Sequence, residues 1–258
     1  MIGAIAGDII GSVYEFQPIK TTEFPLFTSR NFFTDDTVLT VAVADAILGE
    51  RDYGDAIHEF ANRYPGCSYG EMFRSWMSSP TRQPYGSYGN GSAMRVSAVG
   101  FAFSNDQEVL REARRSAEVT HDHEEGIRGA QAVALAVYLA KNAVSKDLIR
   151  DEISRRLAYD LTRTVDDIRP SYRFDETCQG TVPEAIAAFL EADDYEDAVR
   201  KAVSLGGDSD TLACITGGIA EAYWGGVPES IESEVRRRLP EELSEVIDAF
   251  RKRFCVVT

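Results

Sequence analysis

The sequence predicts an all-α fold, a compact single-domain orthogonal helical bundle spanning residues 1–258, and three observations predict it. Apolar residues recur with helical period throughout, while the strict alternation of half-buried strands is almost absent. Residues 126–141 carry Ala130, Ala132, Ala134, Ala136 and Ala140 and are apolar nearly all round, the pattern of a helix in the centre of a core. No low-complexity linker and no internal repeat interrupts the chain, so one domain holds all of it.

The elements follow in order. The first helix carries Gly3, Gly7 and Gly11 at four-residue spacing and is read as continuing to Glu15, four residues beyond Gly11 on the same glycine face. Glycine costs about 1 kcal/mol against alanine inside a helix, so a row of three needs a reason. Close approach of a second helix or of a ligand supplies one. Residues 37–48 form a buried helix closed by Gly49. Further helices are expected at about 54–63, 70–77, 92–103, 106–118, 126–141, 146–158, 182–192, 194–204, 210–224, 228–238 and 240–252. The helix from Leu212 has its own run of small residues, Ala213, Gly217, Gly218 and Ala220, suited to tight helix packing. Two segments resist helical assignment: residues 78–91, rich in Gly, Ser and Tyr, and residues 159–181, with Pro170 and Gly180 and no clear period. Loops this long inside a domain are usually functional.

Charge narrows the function classes. The chain has 42 Asp+Glu against 27 Lys+Arg, a net charge of −15. That argues against the phosphate-neutralising surface of a general nucleic-acid binder. Cys67, Cys178, Cys214 and Cys255 lie far apart without a CxxC pair, and three histidines are too few for a His-built zinc site, which points to reduced thiols. No apolar run reaches the ~18 residues of a membrane span, and the apolar start lacks a basic flank and meets Asp8 at once. The expectation is a cytoplasmic, monomeric protein without a membrane partner.

The informative strings are Thr34-Asp35-Asp36-Thr37 and Gly206-Gly207-Asp208-Ser209-Asp210-Thr211, each immediately before an apolar helix. Asp, Ser and Thr at a helix start are ordinary N-caps. One cap explains one residue, however, and each start carries two carboxylates. Asp208 and Asp210 converge only if they sit in the turn entering the helix, because i,i+2 residues do not share a helical face. Convergent hard oxygens suit Mg²⁺, Mn²⁺ or Ca²⁺, and the hydroxyls of Thr34 and Thr211 would complete such shells. Glu15 is a further contributor and Asp8 a rival to it, for which a packing or hydrogen-bonding role is equally open. Metal binding and multiple capping both remain open on residue chemistry alone. Five carboxylates and two hydroxyls suffice for two ions roughly 3.5–4 Å apart.

Taken with two further strings, these residues resemble the ADP-ribosylglycohydrolases. The resemblance rests on Gly7-Asp8 with Gly11 and Glu15; on Thr34-Asp35-Asp36-Thr37; on Gly86-Ser87-Tyr88-Gly89-Asn90-Gly91 followed by Ala93-Met94-Arg95; and on the 206–211 string, with Thr120-His121 as another matching position. It implies an all-α fold with a binuclear Mg²⁺ or Mn²⁺ centre at the bottom of a cleft. Thr34, Asp35, Asp36, Asp208, Asp210 and Thr211 match the metal ligands. Glu15 matches an acidic residue at the metals. Ser87, Tyr88, Gly89 and Asn90 match a loop around the ADP-ribose, and His121 a residue near the diphosphate and distal ribose. The implied reaction cleaves the C1″ glycosidic bond of an ADP-ribosylated protein or small ADP-ribosyl substrate, with serine or arginine as the acceptor. The 86–95 loop leans toward the serine-reversing branch.

Glycosidic cleavage passes through an oxocarbenium-like state usually managed by a carboxylate acid/base; Glu15 is expected in that role, with Asp35 as the alternative. Backbone N–H groups of the glycine-rich loop would hold the diphosphate. Tyr88 either stacks on adenine or simply packs the loop. A non-catalytic ADP-ribose-binding protein and a two-metal phosphoesterase acting on the diphosphate are the rival readings.

Overall fold

Two helices set the architecture, α1 (Ile2–Gly11) and α13 (Ser209–Trp224), and the glycine row explains why they lie so close. A Cβ on Gly3 would fall 2.5 Å from the Gly217 carbonyl oxygen, on Gly7 1.9 Å from that of Ala213, and on Gly11 2.4 Å from that of Ser209. Each glycine therefore accepts the backbone of α13, and Gly217 returns the contact: its Cβ would stand 2.2 Å from the Gly3 oxygen. Of the two readings of the row, helix packing is the one realised. The structure, a computed structural model, describes residues 1–255.

Among the described residues fifteen helices and no strand occur. After α1 come α2 (Asp35–Gly49), α3 (Tyr53–Arg63), α4 (Glu71–Ser78), α5 (Gly91–Met94), α6 (Ser97–Ala102), α7 (Asp106–Glu118), α8 (Glu124–Lys141) and α9 (Lys146–Leu157). The chain continues with α10 (Val165–Ile168), α11 (Cys178–Glu191), α12 (Tyr195–Ser204), then α13, α14 (Glu229–Arg236) and α15 (Glu241–Phe254). The Ala-rich α8 is central as its composition predicts, packed against α5, α6, α7, α9, α11 and α13. Its small side chains let six neighbours approach one axis. Among the described residues no helix is long and apolar enough to cross a membrane.

Many starts are set by side-chain caps. Asp52, Asn105, Ser145, Thr177 and Asp194 each accept the backbone N–H three residues on, opening α3, α7, α9, α11 and α12. Such caps are worth about 1 kcal/mol apiece.

Four expectations are corrected. The first helix stops at Gly11, and Glu15 sits in the turn beyond it rather than on the glycine face. The second runs through Gly49, and Glu50 adopts the left-handed terminating conformation at φ 52°. The expected 92–103 helix breaks into α5 and α6 around Arg95, whose side chain is fully buried. Residues 159–181 contain α10, closed by a reciprocal Thr164–Asp167 capping box, and α11 starts at Cys178, with Pro183 inside it. Pro170 lies beyond the end of α10, and Gly180 lies in the first turn of α11, where the Thr177 cap accepts its N–H.

Candidate metal centre and ligand loop

The site assembles where the C-terminus of α1, the N-terminus of α2 and the N-terminus of α13 meet. Because Gly11 brings the α1 end onto Ser209 and Asp210, the turn that follows delivers Glu15 to the start of α13. That turn is tied down by Ser209 Oγ donating to the Tyr14 carbonyl at 3.4 Å and by Tyr14 Oη donating to that of Pro25 at 3.2 Å. On the other side, Gly206 (φ 69°) and Gly207 (φ 88°) make the left-handed turn that brings the chain into α13. A side chain at either position would be strained.

Carboxylate oxygens of Glu15, Asp208 and Asp210 lie within 4.8 Å of one another. Asp208 is the N-cap residue of α13, yet its side chain makes no capping bond. It accepts instead from Asn90 Nδ2 at 2.7 Å. Asp210 lies one residue into the helix, so the two acids converge through the entering turn, as their i,i+2 spacing requires.

Asp35 and Asp36 open α2 and fall outside that group of three. Asp36 is buried and is joined to α13 by Thr211 Oγ1 donating to its Oδ1 at 3.4 Å; Asp35 is half-buried. Thr34 caps α2, its hydroxyl accepting from the Asp36 N–H at 3.2 Å. Thr34 thus serves as the N-cap of α2.

Asp8 takes the hydrogen-bonding role left open for it. Fully buried, it accepts from the Thr34 N–H at 3.0 Å, Thr34 Oγ1 at 2.8 Å, the Thr37 N–H at 3.1 Å and the Thr37 hydroxyl. One carboxylate thus fastens α2 to α1. An acid alone in an otherwise apolar helix was the sequence signal for it.

These acids raise one another's proton affinity. Burial, then Asp208, Asp35 and Asp8, push Glu15 up to about 8. Burial and Asp8 push Asp35 up to about 7. Burial first and neighbouring carboxylates next raise Asp36 and Asp210 well above the carboxylate range, and burial raises Asp208. Buried oxygens Glu15 Oε2, Asp36 Oδ2 and Asp210 Oδ1 have no hydrogen-bond partner. Orphaned buried acceptors on mutually repelling acids are what a hard cation satisfies, so this donor set fits a divalent ion.

Beside the acids runs the glycine-rich loop. The Asn90 N–H donates to the Glu176 carbonyl at 2.7 Å, Gly89 pairs with Thr177 in an isolated antiparallel bridge, and Asn90 Nδ2 also reaches Thr181 Oγ1 at 3.1 Å. The Gly86 N–H donates to Asp122 Oδ1 at 2.7 Å and the Gly89 N–H to the buried Ser87 hydroxyl at 3.1 Å. Three loop amides expected to meet a diphosphate are thus already engaged within the protein. Tyr88 is 48% exposed, with its ring 5.3 Å from that of His123. His121 is buried under the loop; burial and then the Arg95 charge hold its pKa well below the usual value. Arg95, Thr120, Thr181 and Glu176 support this region and drew no role from the sequence. Arg95 alone left a signal, as the single charge in an apolar stretch.

Fold and site together define a class: an all-α protein whose helix starts gather an acidic, cation-suited centre beside a glycine-rich loop. The ADP-ribosylglycohydrolase family's sequence model matches residues 1–256, and the chain belongs to that family. It is 30% identical to the mouse ADP-ribosylhydrolase ARH3 over 89% of this chain and 84% of that protein, and 29% identical to the human one over 89% and 86%. It is 22% identical to the ADP-ribosylarginine hydrolase Tri1 of Pseudomonas putida over 87% of this chain and 69% of that protein. A solved ADP-ribosylglycohydrolase-related protein complex superposes with a TM-score of 0.74 at 25% identity, covering 98% of this chain and 95% of that one.

Proposed function

We propose that this protein hydrolyses the C1″ glycosidic bond of ADP-ribosylated side chains, releasing ADP-ribose, with residues 1–258 acting as one ADP-ribosylglycohydrolase-like domain. The observation that carries this reading is the convergence of Glu15, Asp208 and Asp210, two of them with orphaned buried oxygens, beside Asn90 of the loop. Family membership supplies the ligand class. An ADP-ribosylarginine hydrolase lies among the relatives, which keeps the arginine linkage in view, and the likeness of the 86–95 loop to the serine-reversing branch keeps the serine linkage beside it.

Thr34, Asp35, Asp36, Asp208, Asp210 and Thr211 are the residues that would hold two Mg²⁺ or Mn²⁺ ions. Such ions, when bound, supply positive charge that orients the ribose diol and polarises a water beside C1″. Within the protein, Glu15 takes the proton from the attacking water as the new C1″–O bond forms and the C1″–acceptor bond breaks. The proton taken up by Glu15 is then passed to the departing acceptor, so one water is consumed and Glu15 returns to its starting state. Asp35 is the alternative base. Asn90 fixes the rotamer of Asp208 while the loop passes over the ligand, and Tyr88, half-exposed, offers a face to adenine. The protein acts as a cytoplasmic monomer on an ADP-ribosylated protein or small ADP-ribosyl compound.

The test is to incubate the protein with arginine-linked and serine-linked ADP-ribosyl peptides, with Mg²⁺ or with EDTA. Free ADP-ribose should appear from at least one peptide with Mg²⁺ and disappear with EDTA. Release of AMP would assign a phosphoesterase instead, and binding without turnover a non-catalytic ADP-ribose receptor.

A further inference from the structure

We propose that Arg95 and Thr120 are positioning residues that lock the His121 imidazole in its Nε2–H tautomer, making it a neutral hydrogen-bond donor aimed at the ligand of the glycine-rich loop. The inference deepens the function proposed above and rests on it for the identity of that ligand.

Geometry carries it. Arg95 is completely buried and has no carboxylate partner among the described residues. Its Nη2 donates to the Ser116 carbonyl at 2.7 Å and to Thr120 Oγ1 at 2.9 Å, while Nε and Nη1 have no partner. Thr120 Oγ1 stands 2.7 Å from His121 Nδ1. A hydroxyl has one proton and two lone pairs. Arg95 occupies one lone pair, and the proton then has Nδ1 in reach as an acceptor. The opposite arrangement would point an Nδ1–H dipole toward the buried guanidinium and send the Thr120 proton to the Tyr85 hydroxyl, which is also within its reach. An uncompensated buried cation disfavours that orientation. Nδ1 therefore accepts, and the ring proton sits on Nε2.

The other side of the ring faces the loop. A Cβ on Gly91 would lie 3.2 Å from Nε2, and one on Gly89 3.6 Å from it. Nothing in the described residues pairs with Nε2. The two glycines leave that edge bare, and the loop amides of Gly86, Gly89 and Asn90 are spent inside the protein. In a chain of net charge −15, a neutral donor backed by one buried cation serves an anionic ligand without a basic surface.

The experiment reads the tautomer directly in the ligand-free full chain, by long-range ¹H–¹⁵N correlation on ¹⁵N-histidine protein, with H58Q and H123Q assigning the His121 signals by elimination. The wild type should show Nε2–H alone. Thr120→Val keeps the shape but cannot donate, and should give mixed tautomers; Thr120→Ser should restore Nε2–H. Calorimetry with ADP-ribose and Mg²⁺ should show about tenfold weaker binding for Thr120→Val, the scale of one hydrogen bond to a charged group, and recovery in Thr120→Ser. An Nδ1–H signal in the wild type, or a Thr120→Val protein that keeps pure Nε2–H, overturns the lock. A changed tautomer with unchanged affinity overturns the donor role. A wild type that shows pure Nε2–H but no ADP-ribose binding overturns the proposed ligand, and with it that donor role, while the lock stands on the NMR signal.

Discussion

The starts of α2 and α13 look alike in sequence, each a hydroxyl-and-acid string before an apolar helix, yet the protein uses them differently. At α2 the Thr34 side chain caps the helix and Asp8 grips Thr34 and Thr37 from below. At α13 the N-cap carboxylate of Asp208 makes no capping bond and is turned to Asn90 and to Asp210 and Glu15. The α2 start is fastened through Thr34 and Thr37, although Asp36 Oδ2 there is left without a partner. The other is held under repulsion, with an orphaned acceptor on Asp210 that protein does not satisfy. The difference teaches that fastening and chemistry are separable here: Asp8 bolts α2 down, while Asp36, Asp210 and Glu15 keep oxygens that protein does not satisfy.

Substitutions at the two starts should therefore fail in opposite ways. The largest effect is expected at Asp208→Asn. Removing about 4 kcal/mol of charge stabilisation from the reacting state corresponds to roughly a thousandfold loss in kcat. The cation-free protein should melt higher than wild type, because one repelling charge is gone. A lower melting temperature in EDTA would mean that Asp208 serves the fold. Asp8→Ala should show the reverse signature. It strands two hydroxyls and two amides in the core, and a loss of about 3 kcal/mol in urea unfolding is expected at one to three per buried unsatisfied group, relieved in part by relaxation.

The pH dependence sharpens the same contrast without mutation. Glu15 and Asp35 have folded-state pKa values of about 8 and about 7, above the ordinary 4.5 and 3.8. An acid whose pKa rises on folding binds more protons folded than unfolded, so stability falls as pH rises through that window. In EDTA the melting temperature should increase from pH 8 to pH 6. Added Mg²⁺ should raise it more at pH 8 than at pH 6, since protons and cations compete for the same oxygens. A flat EDTA profile would show that burial and repulsion do not raise these two acids. The smallest effect belongs to the ordinary cap: Thr34→Ser should cost a few tenths of a kcal/mol in thermal unfolding, while Thr34→Val should cost about 1 kcal/mol.

Much of this was legible beforehand, because periodicity and caps are local. The Ala-rich run placed α8 at the centre, and the paired acids marked both helix starts that form the site. What misled was also local. Glu15 was placed on the face of a helix that ends four residues earlier, because spacing alone does not say where a helix stops. The 92–103 stretch was read as one helix because an apolar run with a single arginine carries no break signal; burying Arg95 between α5 and α6 required Ser116 and Thr120, which arrive from another helix and its end. Residues 178–181 read as loop because Gly180 and the missing period argue against a helix there, whereas the Thr177 side chain starts one by accepting from the Gly180 N–H.

The sequence by itself determined an all-helical chain, the small-residue face that lets two helices meet, the chemical type of the site and the loop beside it. These follow from side-chain size, charge and period, which each segment carries alone. Only the tertiary structure decided which acid fastens and which stays exposed to a cation, because Asp8 and Asp208 differ in neighbours rather than in kind. It also decided that the glycine row meets α13 rather than a ligand, and that the amides of Gly86, Gly89 and Asn90 are spent inside the protein. Those outcomes depend on which groups from distant segments arrive within hydrogen-bonding distance, and no local pattern encodes that.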